Sequence, residues 1–146
     1  MLAFVLSTAI AAQVGVNIET TIQSATEAER YEAVLQANPE DLGARSLLLA
    51  WYVGQYDKPA IRPVRLGHIL WTIEHHPDMR LSDSRSLSID ERLDEFRLVR
   101  QAWLDQVKRQ PSNAAVLLRA AGMLSRSDRE LAAGWLKQSI SRSFKK

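Results

Sequence analysis

Three histidines and two pairs of carboxylates are the residues whose types and spacing could do chemistry. Glu74-His75-His76, with His68 seven positions before His75, offers the imidazole and carboxylate ligands of a zinc site. Such a site would make the chain a metal-dependent hydrolase. Adjacent residues of a helix point about 100° apart, however, so His75 and His76 cannot both face one ion on a regular helix. The alternative is a pair of surface histidines at a helix C-terminus, where the helix dipole favours them. Asp90-Glu91 and Asp94-Glu95 are the candidate acid–base pairs. General acid–base work needs a carboxyl held in an apolar pocket. These four fall where a helix would open and lie close to Arg92, Arg97 and Arg100, which describes a solvated, dipole-favoured face. The chain has no cysteine, so thiol nucleophiles, disulfides and cysteine-built zinc sites are excluded. It also lacks a Gly-x-Ser-x-Gly elbow, a phosphate-cradling glycine loop and a His-Glu-x-x-His helix. No catalytic residue, metal ligand or cofactor is expected.

The elements that would carry these residues are helices. Two junctions share one pattern: Asn38-Pro39-Glu40-Asp41 and Gln110-Pro111-Ser112-Asn113 each close an apolar-periodic segment and open an Ala/Leu-rich one. Ser24-x-x-Glu27 is a capping box that opens the stripe Ala28, Tyr31, Val34 and Leu35. Asp41 caps the next helix, with Leu42, Leu48, Leu49 and Tyr52 on its apolar face and Gly54 at its end. Pro59 and Pro63 must lie before or within the first turn of the following helix, because an interior proline would break it. Leu66, Ile69, Leu70 and Ile73 form its stripe, which stops before Pro77. The Ser-rich segment from Met79 to Leu87 reads as a loop. Ser88-x-x-Glu91 is a second capping box and predicts one long helix carrying Ile89, Leu93, Phe96, Val99, Trp103 and Val107. After Pro111 come Val116, Leu117, Ala120, Ala121 and Leu124. Ser127-x-x-Glu130 is a third box, leading into Leu131, Trp135, Leu136 and Ile140.

Length and composition agree with one helical domain. The 146 residues are 46% hydrophobic, enough to bury a core, with only six glycines and five prolines. The first eighteen residues contain no charged side chain, and Leu2 to Ala12 form an apolar run ending near Ala9-Ile10-Ala11. That run has signal-peptide length and is too short to span a bilayer comfortably. The n-region lacks Lys and Arg, so a buried N-terminal element and an uncleaved anchor stay open beside the signal peptide. The organisation expected is a signal peptide over 1–11, a disordered lead over 12–23, one helical domain over 24–142 and a frayed tail over 143–146. The location follows: periplasmic or secreted, or cytoplasmic if the apolar run is a core element.

Trp103 and Trp135 continue apolar stripes and are expected in the core. Trp51 and Trp71 lie beside their stripes, where they pack half-buried or serve as interaction anchors. The net charge of +2 is too small to imply nucleic acid. It is unevenly distributed, since residues 1–56 are net acidic and residues 57–146 net basic. Opposite ends of this kind suit head-to-tail association or an acidic partner, beside the plainer role of solubilising charge.

Two stretches of the chain resemble tetratricopeptide repeats. After Pro39, Leu48, Leu49 and Tyr52 fall where the family places its Leu, small residue and Tyr in helix A. After Pro111, Ala120, Ala121 and Leu124 occupy the same places, Ala133 sits at the small position of helix B, and Ile140 falls at a further core position. Leu49 and Ile61 replace expected small residues, and Pro39 and Pro77 stand 38 positions apart against a family period of about 34. The His68-Ile69-Leu70-Trp71 and Glu74-His75-His76-Pro77 wording is similar to degenerate tetratricopeptide proteins of exported bacterial type. The resemblance implies an all-α stack of antiparallel helix pairs, five to six helices in all, that binds a protein or peptide without catalysis. In its register Ser46, Ala50, Val53, Leu118, Gly122 and Ser125 would face the groove. A self-associating or capping module, its groove filled by its own segment Val14–Ile22, is the structural alternative. Neither a nucleic-acid partner nor stable membrane insertion after signal cleavage is expected.

Overall fold

A computed structural model describes residues 21–81 and 85–143. These form six helices and no strand: α1 (Ala25–Ala37), α2 (Leu42–Val53), α3 (Arg62–His75), α4 (Glu95–Arg109), α5 (Ala114–Leu124) and α6 (Arg129–Ser143). The fold is all-α, with each helix packed on its neighbours in the chain. No helix among the described residues is long and apolar enough to cross a membrane. The signal-peptide run, and all of the lead before Thr21, lie outside the described residues. Ile22, within the segment expected to be disordered, is buried against the α1–α2 core.

The proline junctions have one local geometry. Asn38 and Gln110 are the C-caps of α1 and α4, donating to the carbonyls of Val34 and Gln106. The residue before a proline is pushed out of the helical region, which ends both helices there. Asp41 and Asn113 then donate back to Asn38 and Gln110 at 3.1 and 3.0 Å. Their side chains cap the next helix, Asp41 on the amide of Ala44 and Asn113 on those of Ala115 and Val116. His76 before Pro77 ends α3 in the same way, with the Met79 amide returned to its carbonyl at 2.9 Å. No helix follows there.

That third junction breaks the alternation of helix directions. Arg62 and Glu95, at the starts of α3 and α4, meet at 2.7 Å, and Gln106 near the end of α4 donates to Glu74 O near the end of α3 at 2.9 Å. Start meets start and end meets end, so α3 and α4 run side by side in the same direction. Residues 76–81 and 85–94 carry the chain back along α3. By contrast α5 and α6 are antiparallel: Gln138 and Ser139 on α6 donate to Pro111 O and Ala114 O at the start of α5.

The core has two parts. Leu48 and Tyr52 of α2 pack with Ala28 and Leu35 of α1, while Leu49, one position round the same helix, joins Ile69, Ile73 and the apolar faces of α4, α5 and α6. Ala120 and Ala121 are fully buried, and these small residues let α5 sit close between α4 and α6. Trp103 and Trp135 are core residues, as their stripes predict, and Trp51 and Trp71 are half-buried.

Four local expectations are corrected: the Ser88 box, the Ser127 cap, the buried face of α6 and the place of Val34. Ser24 does cap α1 through the Glu27 amide at 3.2 Å, with the Glu27 carboxylate returned to the Gln23 amide. Ser88 does not open α4, which begins at Glu95. The Ser88 hydroxyl donates to Arg85 O, and the Arg92 amide goes to the Asp90 side chain in an Asx turn. Arg65 of α3 takes the Ser88 carbonyl at 2.6 Å, which a helix would need for its own ladder. In α6 the cap is Asp128, on the Leu131 amide, in place of Ser127. Its buried face is Ala132, Trp135 and Ser139, so Ala133, Leu136 and Ile140 turn outward. Ser139 is tolerated inside because its hydroxyl reaches Ala114 O at 3.0 Å. Val34 of α1 is likewise exposed, off the stripe expected to hold it.

Candidate binding cleft

The returning residues 76–81 and 85–94 build one wall of an open cleft of about 1450 Å³. The opposite wall is α5, whose Leu118 and Gly122 share one face beside Arg119 and Met123, continued by its C-cap Ser125 and by Arg126 in the following turn. The end of α2 contributes Val53, and the start of α3 contributes Ile61, Arg62 and Arg65. Trp103 of α4 lies at the base and is 1% exposed. Leu81, Leu87, Ile89 and Leu93 make the loop wall apolar.

The six residues expected to face a groove divide. Val53, Leu118, Gly122 and Ser125 line this one cleft, although α2 and α5 are distant in sequence. Ser46 and Ala50 are half-buried and do not line it. Apart from Arg92, the arginines of the cleft went unremarked in the sequence, because Arg62, Arg65, Arg85 and Arg92 join the wall only once the loop has folded back.

Six arginines and three acids, Asp90, Glu91 and Glu95, line the cleft, so its field is positive. Two of the acids are already engaged. Asp90 holds Arg92 at 2.5 Å, and the hydrogen bonds of Arg92 keep its carboxyl well below the usual carboxylate range. Glu95 is lowered by its own backbone amide and then by Arg62. Carboxylates held ionised in this way are poor general acids. Asp94 pairs with Arg97 at 3.2 Å, whereas Arg100 turns away to Asp128 at 3.5 Å. Arg65 is pushed down by desolvation, and its guanidinium meets only the carbonyls of Ser88 and Arg85. Arg119 is also lowered by burial, which the charge of Asp78 partly offsets, and it donates to Met79 O. Arg126 is exposed.

The histidines lie elsewhere and apart from one another. His68 is buried between α1 and α2: its Nε2 meets Glu32 at 2.9 Å and its Nδ1 meets Arg45 at 3.0 Å. An arginine can only donate, so Nδ1 accepts and the proton sits on Nε2, facing Glu32. Glu32 also accepts from the Tyr52 hydroxyl, and Arg45 donates to Pro39 O at 2.7 Å while lying 3.5 Å over the Trp71 ring. His75 stacks on Trp71 and donates to its carbonyl, and His76 pairs with Glu40 at 2.8 Å. No group of three His, Asp or Glu side chains among the described residues is placed to hold a metal. The polar cluster instead ties α1, α2 and α3 together. Sequence reasoning missed it, although Arg45, Leu48 and Tyr52 share the face that Tyr52 marks as buried.

Compared with protein-family models, with characterised proteins and with solved structures, the chain gives no match.

Proposed function

We propose that the protein is a non-catalytic binding module of tetratricopeptide-like design that takes an extended segment of a protein or peptide in the cleft between α5 and residues 85–93. The observation that carries this proposal is the cleft itself, apolar along both walls, rimmed by arginines and open to solvent. Its volume of about 1450 Å³ exceeds the roughly 300–1,000 Å³ usual for small-molecule pockets. Nothing along the described walls is set up as a nucleophile. The hydroxyls of Ser88 and Ser125 are spent on the carbonyls of Arg85 and Gly122, and all three histidines lie outside the cleft. The uncharged run Leu2 to Ala12 supports a periplasmic or secreted location. Selection from a random peptide library on the full chain, repeated with Leu118→Asp, tests the assignment. Peptides that bind the wild type and lose binding to the variant support it, and equal binding to both rejects the cleft as the site.

Self-association has one observation in its favour. Leu136 and Ile140 of α6, the last helix of the stack, are 37% and 56% exposed one turn apart. End helices of stacked-repeat proteins need a polar outer face to stay soluble alone. Sedimentation of the chain and of Ile140→Glu over a concentration series decides this point, since only a concentration-dependent oligomer dispersed by the substitution supports it.

A further inference from the structure

Among the arginines of the cleft, Arg62 and Arg92 have acids of their own, whereas Arg65 and Arg126 have none among the described residues. Arg65 is half-buried, and the two carbonyl oxygens it touches carry only partial charge. Its Nε, the Nε of Arg62 and the indole nitrogen of Trp103 are buried donors without a hydrogen-bond partner, and all three side chains line the same cleft. Buried donors are ordinarily satisfied, and desolvated arginines ordinarily face an anion. On the opposite wall, Arg119 lies on α5 and Arg126 in the turn just beyond its end at Leu124. Leu118 and Gly122 lie on the neighbouring face of α5, one exposed and apolar, the other leaving open space where a side chain would be.

We propose, resting on the cleft assignment above, that the partner segment is acidic: an extended strand with two Asp or Glu residues three positions apart and an aliphatic residue between them. Side chains three positions apart on a strand point to opposite faces, so one carboxylate turns to Arg119 and Arg126 and the other towards α3. The aliphatic side chain lies on Leu118 over Gly122, and a carboxylate facing α3 meets Arg65. Charge complementarity selects this occupant: arginine forks favour carboxylates, and Glu91 is the one acid of the cleft without an arginine of its own among the described residues.

The probe is a fluorescein-labelled peptide containing Glu-Leu-Ala-Glu in a Ser/Gly background, titrated with the full chain by fluorescence anisotropy. Its Gln-Leu-Ala-Gln counterpart is the neutral control. The neutral peptide is expected to bind about tenfold more weakly, and Arg126→Gln to weaken the acidic peptide severalfold. Arg126 is exposed and unbonded, so this variant leaves the fold intact even if Arg65→Gln disturbs the loop. Binding of the acidic peptide falls as salt rises past about 0.1 M, where screening reaches about 10 Å. Equal binding of both peptides, with loss in Leu118→Asp, overturns the acidic preference and leaves the cleft standing. Binding unaffected by both Arg126→Gln and Leu118→Asp moves the site elsewhere and overturns both. Absence of binding by the acidic peptide up to millimolar protein overturns the acidic motif, while the library selection judges the cleft independently.

Discussion

The one-residue shift of α6 gives a sharp test of how the last two helices pack. Ala132 is 3% exposed and belongs to the cluster that holds Ala120 and Ala121, whereas Ala133 is exposed. Replacing Ala132 by Leu forces three further carbons into a seam kept narrow by alanines on α5. Overpacking of this kind costs about 1–3 kcal/mol. The same change at Ala133 reaches solvent and stays within about 0.5 kcal/mol of wild type. A repeat register that put Ala133 and Ile140 in the core would reverse the order. Urea unfolding followed by tryptophan fluorescence measures both variants, Trp103 and Trp135 being buried reporters on either side of α5. The midpoint of Ala132→Leu is expected to fall with the slope unchanged. Ile140→Ser, at a 56% exposed position, should lose less than about 1 kcal/mol, against about 2–5 for a buried isoleucine cut back this far. If Ala133→Leu is the more destabilised of the two, or Ile140→Ser loses more than about 2 kcal/mol, the packing described for α6 is wrong.

Two further outcomes follow from local geometry. Burial, with the hydrogen bond and charge of Glu32, holds the Tyr52 phenol above its ordinary value of 10.0. A raised folded-state pKa gives stability that is complete below about pH 10 and is lost as pH rises through the folded value. Tyr52→Phe should therefore lower stability in urea unfolding at neutral pH by about 1–2 kcal/mol and flatten its further fall above about pH 10; an equal alkaline fall in both proteins would contradict this. A Cβ added at Gly67 or Gly122 meets nothing within 4 Å, so each change to Ala should raise stability by up to about 1 kcal/mol in thermal denaturation. At Gly43 the added Cβ would stand 3.3 Å from the capping oxygen of Asp41, so Gly43→Ala should gain less, and a larger gain there would count against the Asp41 cap.

Much of the helical outline was legible because its causes are local. Asn38-Pro39 to Asp41 and Gln110-Pro111 to Asn113 contain their own stop and start signals within four residues: a proline that expels its predecessor from the helix, and an Asx side chain that caps the next one. Trp103, Leu48 and Ala120 announced their burial through helical spacing, which depends on nothing beyond the helix itself. The capping boxes at Ser88 and Ser127 carry the same local grammar and fail. At Ser88 the guanidinium of Arg65, more than twenty residues earlier, takes the carbonyl the helix would have used. In α6 the carbonyl of Ala114, at the start of α5, makes room for a buried serine and rotates the helix by one residue.

Residue pattern alone settled that this chain is helical, where most of its helices stop, and which tryptophans lie inside, because periodicity and capping act over a turn or two. Only the tertiary structure decided that α3 and α4 run in the same direction, that Ser88 folds back onto Arg65 of α3, and that Val53, Arg65 and Leu118 line one cleft. Those outcomes depend on contacts such as Arg65 to Ser88 and Arg62 to Glu95, 23 and 33 positions apart in the chain. The side chains that make them are, in sequence, ordinary arginines, serines and leucines whose partners are not specified until the helices pack.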